Sequence, residues 1–248
     1  MVLRAARPGA LVAACALASL SSPPAIAQTA PSVPVAGEAN DRDAASHPIV
    51  SRWTQMLAAS HGLSDAGKLQ AVQDFFGRVM QFGDDAPAWG RAQTWATPTE
   101  FMRRGRGDCK DFAVAKYASL RMLGVPADRL RLLYVHARIG AGQQVPHMVL
   151  GFYAGADSEP VVLDNLVDSM RPLSERSDLS LVYAFNTVGL WVADSKTSAA
   201  DPIARISRWR DVLQRMRVEG TLAAWAPAQR TDLPAVAASD SPQASLER

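Results

Sequence analysis

Apolar residues recur at helical spacing through three stretches in the first half of the chain and then give way to short β-rich runs. The spacing predicts a first helix from about Pro48, with Ile49, Val50, Trp53, Met56 and Leu57 on one face. A second is expected after Ser64, carrying Leu69, Val72, Phe75, Phe76, Val79 and Met80. A third runs from about Cys109 to Leu123, turns Phe112, Ala113, Leu120 and Leu123 inward, and stops at Gly124 ahead of Pro126. Residues 130–137, 147–153 and 161–164 read as strands, the last two joined by the turn-forming run Ala154-Gly155-Ala156-Asp157-Ser158-Glu159-Pro160. A final helix opens at Asp201-Pro202, sets Ile206, Trp209, Leu213 and Met216 on its apolar face and ends at Gly220. Helices first and an antiparallel sheet afterwards define an α+β class. Between the second and third helices, residues 82–98 hold Asp84, Asp85, Trp89, Trp95 and two prolines, the composition of an ordered loop whose aromatics line something.

The two ends carry no such pattern. Residues 1–27 have the layout of a secretory signal: Arg4 and Arg7, an apolar run over about 10–20, then Ala25-Ile26-Ala27 as a small-residue cleavage site. Export to the periplasm is the expectation, with lipid anchoring at Cys15, after Val12-Ala13-Ala14, as the alternative. Residues 28–45 and 226–248 are rich in Ala, Pro, Ser and charge and read as disordered, leaving 46–225 as one domain. The full chain carries 26 basic and 24 acidic residues. Removing the signal takes away Arg4 and Arg7 and no acids, so the remainder is formally neutral. That balance gives no reason to expect nucleic acid or an anionic membrane surface as partner. No later apolar run has the roughly 20 residues a membrane helix needs.

With the signal set aside, Cys109 is the one cysteine left, in Arg106-Gly107-Asp108-Cys109-Lys110-Asp111 where a glycine-bearing loop turns into a helix. An unpaired thiol in an oxidising compartment invites a chemical role. The first turn of a helix offers unpaired N–H groups and the positive end of the dipole, which favour the nucleophilic thiolate. Gly105 and Gly107 are expected to leave room for a substrate carbonyl over the sulfur, with the Cys109 N–H as oxyanion donor.

Such a nucleophile needs a base, and the base an orienter. His47 and His61 read as surface residues and His136 as a structural one at a strand end. His147 opens an apolar strand after the loop 140–146, so its ring can emerge at a sheet end beside a helix start. The next strand delivers Asp164, a carboxylate costly to bury unless paired. Cys109, His147 and Asp164 thus form a candidate triad. Trp95 and Trp89 are candidates for lining the substrate or the oxyanion, against a packing role. The arginines of the last helix, Arg205, Arg208, Arg210, Arg215 and Arg217, read as a solvated face rather than a docking surface.

Trp95-Ala96-Thr97-Pro98-Thr99-Glu100-Phe101, residues 105–111, Ala115-Lys116-Tyr117, His147-Met148-Val149-Leu150, Leu163-Asp164-Asn165-Leu166 and Tyr183-Ala184-Phe185-Asn186 together resemble the bacterial transglutaminase-like cysteine proteinases, in particular the LapG-type periplasmic adhesin proteases. The resemblance runs from about Lys68 to Trp191. It implies a papain/transglutaminase-like core with a Cys, His, Asp triad, and an endopeptidase that clips a large surface adhesin near its N-terminus at a di-alanine site, controlling biofilm attachment. It further implies an inner-membrane receptor that responds to cyclic di-GMP. No cofactor is required for the chemistry.

The resemblance also implies calcium, bound by acidic residues around the cysteine in the pattern Gly-Asp-Cys-Glu-Asp. This chain reads Gly107-Asp108-Cys109-Lys110-Asp111. Asp108 and Asp111 remain as candidate ligands, joined by Asp84 or Asp85, but an ammonium replaces one carboxylate and weakens the site. Lys110 is instead a candidate permanent charge beside the thiolate. The triad alone also suits acyl transfer to an amine, as in transglutaminases and arylamine acetyltransferases, and a non-catalytic exported binding module is a third reading.

Overall fold

Alternation of capped helices with tight turns builds a helical layer that wraps one long buried helix against an antiparallel sheet. The computed structural model describes residues 47–83, 95–193 and 195–224. The expected signal, linker and tail, together with Asp84, Asp85 and Trp89, lie outside the described residues.

Helix α1 (Pro48–Ser60) starts on a proline, which costs nothing where the first N–H has no partner anyway. It buries Val50, Trp53 and Leu57. Helix α2 (Asp65–Val79) is capped by the Ser64 hydroxyl, which accepts from the Gly67 N–H, and buries Leu69, Val72, Phe75 and Phe76. Both match the helical spacing of the sequence. The two-residue strand β1 (Gln81–Phe82) then pairs in parallel with β2 (Arg106–Gly107). Between them lies α3 (Pro98–Arg104), which begins where the expected loop 82–98 ends and has no counterpart in the sequence reading. Its Thr97/Glu100 capping box and left-handed Gly105, with φ +68°, mark both ends.

Helix α4 (Cys109–Met122) is enclosed on nearly every side, every residue from Asp111 to Arg121 being buried. Phe112, Tyr117 and Leu120 fill the core, and the Trp53 indole N–H donates to Ser119 Oγ at 2.8 Å, tying α1 to α4. Fully burying Phe76, Phe101, Leu120 and Phe185 contributes about 1.5–3 kcal/mol each relative to exposure.

The sheet has the order β6-β5-β4-β3-β7-β8, antiparallel throughout. Its strands are β3 (Leu130–Ile139), β4 (Gln143–Tyr153), β5 (Pro160–Leu163), β6 (Arg171–Pro172), β7 (Leu179–Phe185) and β8 (Leu190–Val192). Here the sequence expectation is corrected. The turn between β3 and β4 is short, with Gly140 and Gly142 both at positive φ, so residues 143–146 join the ladder instead of forming a loop. His147 therefore stands inside β4, opposite Val135, rather than at its start. Strands β7 and β8, unassigned from sequence, extend the sheet beyond β3. The final helices α5 (Pro202–Arg205) and α6 (Ser207–Val218) close the core through Trp209, Val212 and Met216. Among the described residues, no helix is long and apolar enough to cross a membrane.

Candidate active site

Cys109 is the first helical residue of α4, half-buried, and the Asp108 N-cap sets where the helix begins. Asp108 accepts from the Lys110 N–H while Asp111, one turn on, accepts from the Asp108 N–H at 3.3 Å. This reciprocal box fixes the backbone around the sulfur. Asp111 also accepts from the Ala96 N–H at 3.0 Å, so one buried carboxylate latches the 95–97 segment to the start of α4.

Gly107 is required for close packing. A methyl group there would lie 2.5 Å from Asp111 Oδ2 and 2.7 Å from the Phe101 ring. Gly105, left-handed at φ +68°, makes the tight turn that ends α3, and Gly107 lets α3 and α4 approach.

Pairing between β4 and β5 stops at Leu150 opposite Leu163, so the chain leaves the ladder at Asp164 close to where His147 stands. His147 Nε2 lies 2.8 Å from Asp164 Oδ1, both side chains being buried. The Cys109 side chain is the other group that acts on the ring, and with Nε2 held by Asp164 the remaining ring nitrogen is Nδ1. Burial by itself would lower the His147 pKa, but the Asp164 and Cys109 hydrogen bonds and their charges outweigh it and raise it to about 9. The imidazolium is the form this pocket favours. Burial pushes Asp164 upward, yet the His147 contact, the Leu166 N–H at 3.0 Å and Arg176 at 2.7 Å hold its carboxyl well below the usual range. Asp164 is ionised and fully engaged.

Two further groups hold the Asp164 main chain. The Lys116 ammonium and the Gln73 amide both donate to the Asp164 carbonyl, at 2.8 and 2.7 Å. Lys116 also donates to Gln73 Oε1 at 2.8 Å, and burial lowers its pKa to about 7 against the pull of Asp164 and Asp168. None of Lys116, Gln73 and Arg176 was singled out as functional from sequence. Lys116 in mid-helix and Arg176 in a charged turn carry no spacing signal that separates them from surface residues.

The sequence candidates therefore divide. Cys109, His147 and Asp164, from three distant stretches, meet. Trp95 packs in the core with its ring 5.9 Å from Phe185. Arg215 leaves the expected solvated face to pair with Glu100 and the Trp95 carbonyl. His136 is exposed, near the Tyr134 ring.

The calcium expectation meets resistance in the donor set. Asp108 is spanned by the Lys110 ammonium and its own helix N–H, and Asp111 spends both oxygens on backbone N–H groups. Among the described residues no cluster of three or more Asp, Glu, His or Cys side chains stands ready for a metal. Calcium takes six to eight oxygens, and of the four candidate carboxylates only Asp108 and Asp111 lie among the described residues.

The order along the chain, a cysteine opening a buried helix ahead of an antiparallel sheet that supplies histidine and then aspartate, is that of a papain/transglutaminase-like cysteine peptidase. Residues 51–188 match the model of the bacterial transglutaminase-like cysteine proteinases, and the chain belongs to that family. It is also similar to solved structures of Legionella pneumophila LapG. The EGTA-treated form is 32% identical with a TM-score of 0.62, covering 71% of this chain and 95% of that one. The calcium-bound form is 33% identical with a TM-score of 0.60, covering 71% and 96%. No curated protein matches the sequence.

Proposed function

We propose that this cysteine peptidase is a periplasmic endopeptidase in which Cys109 is the nucleophile, His147 the proton-transfer group and Asp164 its orienter. The observation that carries the reading is His147 held between a carboxylate at 2.8 Å and the Cys109 thiol.

The chemistry follows from that pairing. An imidazolium beside the sulfur stabilises thiolate, which attacks the scissile carbonyl carbon. The developing oxyanion meets the Cys109 N–H, an unpaired donor at the start of α4. His147 then gives its proton to the leaving amine, and the amide C–N bond breaks to leave an acyl-thioester. Neutral His147 takes a proton from water, the resulting hydroxide attacks the thioester, and the acid product leaves as thiolate and imidazolium are restored. Asp164 never carries the proton; it keeps Nε2 bound so that Nδ1 points at the sulfur.

The substrate proposed is a large surface adhesin, cut near its N-terminus at a small-residue site, with biofilm attachment as the process controlled. An inner-membrane receptor responding to cyclic di-GMP is the proposed regulator. Both follow from the resemblance of the sequence motifs to the LapG-type proteases; family membership supports the peptidase activity they presuppose, and the signal-like residues 1–27 support export. The test compares cells carrying wild type and Cys109→Ser by the fragments of surface and secreted proteins. Loss of one cleavage product is expected, and unchanged cleavage would remove the protease assignment. A purified fragment of the cleaved protein separates hydrolysis from acyl transfer: two fragments mark a protease, an amine adduct a transferase.

A further inference from the structure

Asp164 has two oxygens, and the proposed triad uses one. Oδ1 takes the His147 ring and the Leu166 N–H, whereas Oδ2 takes Arg176 Nη2 at 2.7 Å. Both members of this second pair are buried, Arg176 being only 5% exposed. The guanidinium is fixed from behind: Asp178 receives Nε at 2.9 Å and Nη2 at 2.8 Å in a fork-to-fork arrangement. Asp178 is itself part-exposed, and its backbone carbonyl accepts from the Arg138 N–H on β3 at 2.8 Å. A continuous line of contacts therefore runs from the sheet through Asp178 and Arg176 to Asp164 and on to His147.

We propose that Arg176 is a positioning residue for the peptidase reaction, setting the rotation of the Asp164 carboxylate and through it the angle at which His147 faces Cys109. The inference rests on the triad reading of the proposed function.

Three observations favour this over a purely structural brace. First, Arg176 Nη1 is buried with no hydrogen-bond partner, so the fold carries an incompletely satisfied cation at this point. Stability alone gives little reason for such an arrangement, because replacing buried charges by packed apolar groups is often neutral or stabilising. Second, a carboxylate bound on one oxygen can swing about its Cβ–Cγ bond, and a single N–H from a guanidinium that Asp178 itself holds at two points pins the other oxygen. Third, Arg176 touches neither the thiol nor an open surface; within the site, its reach is the Asp164 carboxylate. A displacement of about 1 Å in a reacting pair costs on the order of 10²-fold in rate, so orientation passed through one carboxylate has a measurable effect.

The test uses the purified exported protein and iodoacetamide, whose alkylation rate reports how well His147 sustains the Cys109 thiolate without requiring the natural substrate. Arg176→Gln is expected to slow alkylation at pH 7 by about tenfold or more, and Arg176→Lys to recover part of the loss. Asp178→Asn, at a part-exposed position and leaving Asp164 intact, is expected to slow it several-fold and keeps the test informative should Arg176→Gln fold poorly. Each variant is then remade in an Asp164→Asn background. A positioning residue acting through Asp164 has no further effect there, whereas a general structural role slows both backgrounds alike. Equal slowing in both backgrounds, or normal rates for both Arg176→Gln and Asp178→Asn, would overturn the proposal. Asp164→Asn and His147→Ala that alkylate as fast as wild type would instead overturn the triad reading.

Discussion

Replacing Asp164 by Asn keeps the shape of the side chain and removes its charge, which isolates the force that holds His147 protonated. The imidazole stands at about pKa 9 against an ordinary 6.5, even though its burial acts in the opposite direction. That difference corresponds to roughly 3 kcal/mol in favour of the charged ring in the folded protein. Because the folded value lies above the unfolded one, this stabilisation is complete below about pH 6.5 and is lost as the pH climbs through about 9. In Asp164→Asn the Cys109 contact remains but the carboxylate is gone, so the opposing burial weighs more heavily and the ring titrates below the wild-type value. The direct assay is the pH dependence of the His147 ring shifts in a labelled sample, followed from pH 5 to 10. A smaller share of the variant rings is then charged at pH 7, and alkylation of Cys109 by iodoacetamide slows accordingly. A ring that still titrates near 9 in the variant would refute the assignment of Asp164 as the source of the shift.

Lys116 contributes in the opposite sense: its folded value of about 7 lies below 10.5, so stability rises with pH between those limits and offsets the His147 slope from 7 to 9. Lys116→Met is expected to uncover that slope, with the urea midpoint falling between pH 7 and 9 where wild type stays nearly flat. Gly107→Ala forces a methyl against Asp111 and Phe101 and should cost about 1–3 kcal/mol, read as a lowered thermal midpoint with slower Cys109 alkylation. Chelator is expected to leave the wild-type thermal midpoint unchanged, since Lys110 already spans Asp108 and Asp111 is committed to backbone; a drop in midpoint that calcium reverses would show a bound ion. In Lys110→Glu the ammonium is removed, and any gain of calcium-induced stabilisation measures what Lys110 suppresses.

Much of the site was readable before any coordinates because its groups sit where local rules are strong. Cys109 follows an N-cap aspartate, and Asp164 ends an apolar run, so both positions announce a boundary. The helices α1, α2 and α4 were equally clear from their apolar stripes. The reading weakened where long-range pairing decides the outcome. Gln143 and Gln144 look like loop residues and become strand because β3 lies alongside them. Residues 98–104 form a helix of only two turns, too short for periodicity to stand out, although Thr97 and Glu100 carried its capping signal. Arg176 and Gln73 stayed invisible for a different reason: their partners lie 12 and 91 residues away, and nothing local distinguishes them from a solvated Arg or Gln.

The enclosure of α4 by α2, α3, β3 and β4 has a consequence for how such a peptidase diversifies. A sulfur rooted in a helix buried along most of its length keeps its address whatever peptide arrives, since shifting it would disturb the close-packed neighbours of that helix. New preferences must then arise by redrawing the stretches that border the thiol, while the reactive atom itself stays as the invariant origin against which every substrate is measured.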